Sequence, residues 1–395
     1  MIESILSFIV KFKFIFLFYA IIIVLLALKR KKIAVQAKFI LLYRMKWGLK
    51  WMDKYSKKFR EWIVLVGYIG VGAGFVGLIF ISYILIKNLY DLIVSPTAVS
   101  GVSLVLPGIN VPGLGILPFW YWLIAIFIIA IVHEFSHGIV ARAHNINVKN
   151  TGIVFFGPII GAFVEPNEKN LQKQQDIKQY SVLAAGSFSN ILLALVSLFL
   201  LMLVFTPLQN SMVEPTGFTF DQYFGVPSPF EKAGIVTGTV ITGINGIPTP
   251  NFQEFSDELL THKPGDTITV QAAEEEYSVV LTENPDNVKK PLIGIQSIQN
   301  DVDIKSKYET GILSVVYYCV DWITGFLRWL FLLSLGIGLF NLLPLPIVDG
   351  GRMAQVFLHK LRGQEKGEKS YRKISMFFLF ILLLNLFFPL IVKLF

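Results

Sequence analysis

Residues Phe119 to Ala143, FWYWLIAIFIIAIVHEFSHGIVARA, form an apolar run long enough to cross a bilayer, yet the run encloses His133, Glu134 and His137. An unbroken apolar stretch of that length in lipid is satisfied only by a helix, which bonds its own backbone. Residues four apart on a helix share one face, so the two imidazoles can reach a single metal ion. Glu134, beside the first of them, can then act as general base on water at that metal. Ionisable groups at such depth cost roughly several kcal/mol unless they serve a purpose. His133 lies about 21 Å along the run at 1.5 Å per residue.

The rest of the chain is consistent with a membrane protein. It is 54% hydrophobic and 16% charged, well below the charge content of a soluble domain. Six spans are expected, at Phe14–Leu28, Trp62–Ile86, Phe119–Ala143, Ser181–Phe205, Gly325–Leu343 and Ile374–Val392. The first is followed directly by Lys29-Arg30-Lys31-Lys32, with no small-residue cleavage site, which favours a retained anchor over a signal peptide. The net charge of +8 does not point to nucleic acid, because it is concentrated in short loops beside the spans. Lys29 to Arg60 carries twelve basic residues against one acid, Asp53. The loop before the last span holds Lys360, Arg362, Lys366, Lys369, Arg372 and Lys373. Placing these loops in the cytoplasm puts the N-terminus outside, residues after span three inside, and the acidic segment Thr206–Thr310 outside.

Two stretches fit neither a span nor an ordinary loop. Leu92–Pro118 is apolar but interrupted by four prolines. Val148–Glu165 has two short β-prone runs around Phe156-Gly157-Pro158 and reads as a hairpin re-entering the membrane against protein or a wet cavity. Within the acidic segment, a short helix is expected to start at Pro229–Gly234. An Asn245-Gly246 turn closes a hairpin, Phe252–Thr261 has helical spacing, and Asp266–Ala272 pairs with Tyr277–Thr282. The single cysteine, Cys319, excludes an intramolecular disulfide and is expected as a buried small side chain.

Two histidines leave a catalytic zinc one protein ligand short. Asp349, in NLLPLPIVDGG (Asn341 to Gly351), is the best remaining candidate. Pro344 and Pro346 stop the fifth span near its cytoplasmic end. Gly350 and Gly351 permit a tight turn there. By the topology above, that end lies at the depth of His133.

HEFSHG followed downstream by NLLPLPIVDGG resembles the site-2 protease family of intramembrane zinc metalloproteases, whose pattern is HExxH on one span and NxxPxPxxDG on a later one. Gly186-Ser187-Phe188-Ser189-Asn190 matches a looser GxxxN feature on the intervening span. The resemblance covers about Phe119 to Gly351. It implies His133, His137 and Asp349 as Zn²⁺ ligands and Glu134 as general base. Asn341 and Asn190 become candidate partners for substrate backbone or oxyanion, and Gly186, Pro344, Pro346 and Gly350 are structural members of the motifs. The pattern AGI…GTVITGINGIP…F…F resembles a PDZ domain of the kind inserted in many site-2 proteases, which implies a peptide ligand bound by strand addition.

The expected fold is a polytopic α-helical membrane protein with a re-entrant β-hairpin and an inserted soluble, β-rich, PDZ-like domain. Its parts are residues 1–118 (N-terminal helices, basic loop and re-entrant segment), 119–205 (first part of the catalytic core), 206–310 (PDZ-like domain), 311–351 (second part of the core) and 352–395 (cytoplasmic loop and last helix). The expected activity is hydrolysis of peptide bonds in membrane-spanning helices of protein substrates, with the site toward the cytoplasm. A metal-ion carrier using the same cluster, or a scaffold acting through the PDZ-like domain, are the other classes. Against a carrier stand Glu134 and the lack of an inverted repeat of broken spans; against a scaffold stands the intact motif set. His144 is expected near the membrane surface and off the metal, His262 and His359 in solvent, and Asp321 and Arg328 on an interfacial helix before the fifth span or paired elsewhere.

Overall fold

The computed structural model describes residues 13–30, 33–36, 40–46, 48–95, 101, 106–108, 110–111, 115–156, 159–225, 228–272, 275–285 and 287–392. The chain divides into two compact units, Met1–Leu201 with Gly325–Phe395, and Met202–Thr324. Its first part runs α1 (Lys13–Leu28), β1 (Ile33–Gln36), β2 (Ile40–Met45), α2 (Leu49–Lys58), α3 (Arg60–Val94), β3 (Asn110–Val111), β4 (Gly115–Ile116), α4 (Phe119–Ala143), β5 (Val148–Phe156), β6 (Ile159–Pro166), α5 (Glu168–Gln172) and α6 (Asp176–Leu200). A π-helical turn at Leu201–Phe205 then leads into α7 (Thr206–Met212).

The middle of the chain carries β7 (Val213–Tyr223), α8 (Pro229–Lys232), β8 (Gly243–Ile244), β9 (Ile247–Pro248), α9 (Phe252–Leu259) and β10 (Thr267–Ala272). It continues through β11 (Glu275–Val280), β12 (Thr282–Asn284), β13 (Asn287–Leu292) and β14 (Ile295–Ile304) to α10 (Gly311–Phe340). Helices α11 (Asp349–Arg362) and α12 (Gln364–Val392) end it.

Among the described residues, five helices are long and apolar enough to cross a membrane: Arg60–Val94, Phe119–Ala143, Asp176–Met212, Gly311–Phe340 and Gln364–Phe388. They coincide with the second to sixth expected spans, most with extra turns, although the fifth ends at Phe340 and not at Leu343. The first expected span coincides with the shorter apolar helix α1, which begins at the edge of the described residues. The fifth span starts fourteen residues earlier than its apolar signal suggested. Asp321 and Arg328 therefore lie within one continuous helix, and Asp321 accepts a hydrogen bond from Gln209 at 2.8 Å. Cys319 is exposed on that helix. The expectation of burial fails because an apolar membrane helix needs no protein neighbour on its lipid side.

Helix α3 meets its neighbours through small residues. Gly67, Gly70 and Gly74 are buried against Ser181, Phe188 and Ala184 of α6, and Gly77 against Leu342. Such a stripe lets helix backbones approach closely in lipid, where apolar burial alone does not favour association. It brings α6 and the loop before α11 to the same helix. The expected re-entrant hairpin is β5–β6, in register Thr151↔Val164 and Ile153↔Ala162. It is not isolated: β2 pairs along β5, giving a four-stranded sheet of order β1-β2-β5-β6. The basic loop thus contains two strands that its charge concealed.

The second unit holds a core of Phe218, Phe220, Phe230, Ile244, Phe255 and Val270 among others. The Asn245-Gly246 turn joins β8 and β9, both residues at positive φ, 51° and 80°, as a tight hairpin requires. Asn251 caps α9, its side chain accepting from the Glu254 amide at 3.0 Å. Strands β10 and β11 pair as expected. The long β7–β14 ribbon was not anticipated, because its two strands lie about seventy residues apart and each alone reads as a polar linker.

Candidate metal centre

His133 and His137 project from one face of α4, with their Nε2 atoms 3.2 Å apart. Asp349, the first residue of α11, brings Oδ2 to 3.1 Å from His133 Nε2 and 3.2 Å from His137 Nε2. The chain reaches this point because α10 stops at Phe340 ahead of buried Pro344 and exposed Pro346. The loop then turns back, with the Gly350 amide donating to the Asn341 carbonyl at 2.8 Å. The two glycines were expected to permit a tight turn, and the chain does turn back at this point. Neither has positive φ. Instead, a Cβ on Gly350 or Gly351 would collide with the backbone oxygens of Leu342 and Leu345. Glycine is needed there for close packing of helix start on loop.

The triangle has the character of a metal site. His137 Nδ1 lies 2.6 Å from the Val182 carbonyl. That acceptor holds the ring proton on Nδ1 and leaves the Nε2 lone pair facing inward. Asp349 Oδ2 is buried without a hydrogen-bond donor. Lone pairs and a carboxylate oxygen gathered at this range repel unless a cation lies among them. A tetrahedral ion with bonds of about 2.0–2.1 Å sets its ligand atoms roughly 3.3 Å apart, close to the observed separations. Two imidazoles and a carboxylate suit Zn²⁺. This is the group of metal-ligating residues found among the described residues.

Gly186 of α6 supplies the space. A Cβ there would touch His137 Nε2 and lie 2.6 Å from His133 Nε2, so any side chain would fill the position a metal needs. The GxxxN motif is therefore more than helix packing. Its Asn190 is fully buried, with the amide nitrogen 3.1 Å from His133 Nδ1 and the backbone carbonyl accepting from Ser334 at 2.8 Å. It stands behind the His133 ring and borders the same cavity.

Glu134 extends beside the triangle, its Oε2 accepting a hydrogen bond from the Val164 amide of β6 at 3.0 Å. All these groups border one cavity of about 490 Å³, which also meets Asn341 and Arg352. Arg352 pairs with Glu168 at 2.7 Å. Sequence reasoning did not find Val164, Val182 or Arg352. The first two act through backbone atoms, which leave no residue signature. The third sits three residues past Asp349, one helical turn away, and that spacing was the available clue. His144 is off the metal as expected, but it is buried, 3.2 Å from Ser181 Oγ. His262 and His359 are partly covered rather than solvated, bonded to Asn245 at 2.9 Å and Glu368 at 3.2 Å; packing of neighbouring turns supplies partners that a polar segment does not reveal.

Residues 121–386 match peptidase family M50. An uncharacterized protein of Methanocaldococcus jannaschii is 24% identical over 324 residues, covering 81% of this chain and 78% of that protein. A putative zinc metalloprotease of Neisseria meningitidis is 24% identical, covering 36% of this chain and 43% of its own length. The zinc metalloprotease RasP of Oceanobacillus iheyensis is 25% identical, covering 51% and 56%. The chain thus spans about half the length of these two metalloproteases. Among solved structures, the PDZ domain of an SdrC-like protein from Listeria monocytogenes is 22% identical, covering 24% of this chain and 95% of that one, with a TM-score of 0.18.

Proposed function

The chain belongs to peptidase family M50 and has the membrane-embedded core of a zinc metalloprotease, and on that premise we propose that it is an endopeptidase cutting membrane-spanning helices of protein substrates. The observation that carries this reading is the convergence of His133, His137, Asp349 and Glu134 on one cavity. In it, His133, His137 and Asp349 would hold Zn²⁺, which would supply Lewis acidity when bound.

Glu134 is the general base. It takes a proton from the attacking water and returns it to the leaving amine. The Val164 amide fixes Oε2, so one carboxylate oxygen is anchored while the other is available to the proton. Asn341 borders the cavity and serves the substrate backbone or the developing oxyanion. A transmembrane substrate must unwind first, because helical peptide bonds are already hydrogen-bonded. Strand β6 lies at the edge of its sheet and can accept the unwound stretch by strand addition.

The Lys/Arg bias supports a site toward the cytoplasm and residues 206–310 outside. The PDZ-like segment takes an extended peptide, as the sequence pattern AGI…GTVITGINGIP suggests. Comparison of membrane-protein fragments released by the wild type and by Glu134→Gln tests the activity. Fragments ending inside transmembrane segments should be specific to the wild type. Identical fragment sets would rule the reading out.

A further inference from the structure

Helix α2 carries an aromatic residue at every fourth position of one flank: Trp51, Tyr55 and, at its end, Phe59. Their rings lie 5.9 and 6.3 Å apart between centroids. All three are exposed, Trp51 at 57%. Beside this flank stand exposed Lys54 and Lys58, with Lys58 Nζ 5.1 Å from the centre of the Phe59 ring. Lys50 and Lys57 are exposed as well. The helix's one acid, Asp53, lies 3.2 Å from Arg142 Nε and leaves these lysines uncompensated.

The opposite side is committed to the catalytic helix. Met52 is fully buried and sits so close to Gly138 that a Cβ there would lie 2.7 Å from its sulfur. Arg60 Nε donates to the Ala143 carbonyl at 3.0 Å, and Gly48 abuts the Phe135 ring. Between these contacts the chain runs alongside α4 from Phe135 towards Ala143, about 12 Å of helix at 1.5 Å per residue. It lies beside the last turns of the apolar helix Phe119–Ala143, and the last turns of a membrane-crossing helix are where lipid headgroups meet acyl chains. Aromatic rings with adjacent lysines at that depth match anionic phospholipid, the rings entering the boundary and the ammonium groups meeting phosphates.

We propose that α2 is an anionic-phospholipid site: Trp51, Tyr55 and Phe59 insert at the headgroup boundary, Lys54 and Lys58 hold the headgroup phosphates, and the Met52–Gly138 contact braces the catalytic helix one residue after His137. The lipid contact stands independently of the proposed protease activity; its effect on cleavage rests on that activity.

The test uses the full-length protein in phosphatidylcholine vesicles with or without phosphatidylglycerol. Quenching of Trp51 by brominated lipid is read as the difference between the wild type and Trp51→Phe. Brominated phosphatidylglycerol should quench about two- to threefold more than brominated phosphatidylcholine. Lys54→Glu/Lys58→Glu, and the milder Lys54→Gln/Lys58→Gln, should abolish that preference, and free inorganic phosphate should not reproduce it. Cleavage of a reporter helix should rise with phosphatidylglycerol in the wild type and stay flat in both lysine variants. Equal quenching by the two lipids, a preference that survives both variants, or no quenching by either lipid (a face covered by protein) would overturn the site. A quenching preference without lipid-dependent cleavage would overturn the brace alone.

Discussion

The Val164 amide donates to Glu134 Oε2 at 3.0 Å, so the free edge of a sheet is tied to the carboxylate beside two metal-facing histidines. In an antiparallel sheet, successive amides alternate sides. Val164 turns its amide away from β5, and a substrate strand added to β6 would meet this same row of groups. Under the proposed function, general base and substrate edge would thereby share one register.

Val164→Pro removes this donor and spares the β5–β6 ladder, since an outward-facing amide on an edge strand is where proline is tolerated. A hydrogen bond to a charged group contributes about 1.5–3 kcal/mol. Cleavage of a reporter helix should fall roughly ten- to hundredfold with zinc content unchanged. An unaltered rate would show that neither base nor substrate uses the contact.

Gly186→Ala places a methyl where the metal belongs, 2.6 Å from His133 Nε2. The purified variant should fold yet carry little zinc by elemental analysis. A full zinc complement would mean that the ion sits elsewhere.

The two asparagines should separate by readout. Asn341 lies in the cavity, so Asn341→Ala should lower turnover about a hundredfold and keep zinc. Asn190 is set against His133 Nδ1 with its own Oδ1 buried and unpaired. A half-turn of the amide would give a metal-loaded ring its acceptor for the Nδ1 proton. Asn190→Leu should weaken zinc about 10- to 100-fold in chelator competition, whereas Asn190→Asp, which keeps an acceptor, should not. Equal zinc affinity in all three proteins would return Asn190 to a substrate role.

His144, just beyond the end of α4, has its pKa lowered by burial and by the nearby charges of Lys178 and Arg60. The unfolded chain then takes up this proton at higher pH than the folded one. The contribution is complete above about pH 6.5, the unperturbed value, and is lost as pH falls through the lower folded value. His144→Gln should therefore lose less thermal stability than the wild type between neutral and acidic pH. Parallel losses would remove His144 from the acid sensitivity and leave the metal ligands as its source.

Much of this centre was legible because its chemistry resides in side chains at helical spacing. His133 and His137 fall on one face, and Pro344 and Pro346 announce the end of a span that delivers Asp349. What escaped notice depends on backbone or on distant pairing. Val164 and Val182 act through an amide and a carbonyl that any residue possesses. Strands β1 and β2 lie in a segment whose lysines suggested a loop, and β7 finds its partner only at β14. Gly186 was visible as a motif member, but its reason, room beside two imidazoles, emerges only when α6 is set against α4.

The most direct test of the central claim combines composition with turnover on one preparation. Wild type, Glu134→Gln and Asp349→Asn are purified, assayed for bound zinc, and given a reporter transmembrane helix in vesicles. The account predicts one zinc and cleavage in the wild type, one zinc and no cleavage in Glu134→Gln, and loss of both in Asp349→Asn. Cleavage by Glu134→Gln at the wild-type rate, or a wild-type zinc content in Asp349→Asn, would contradict it.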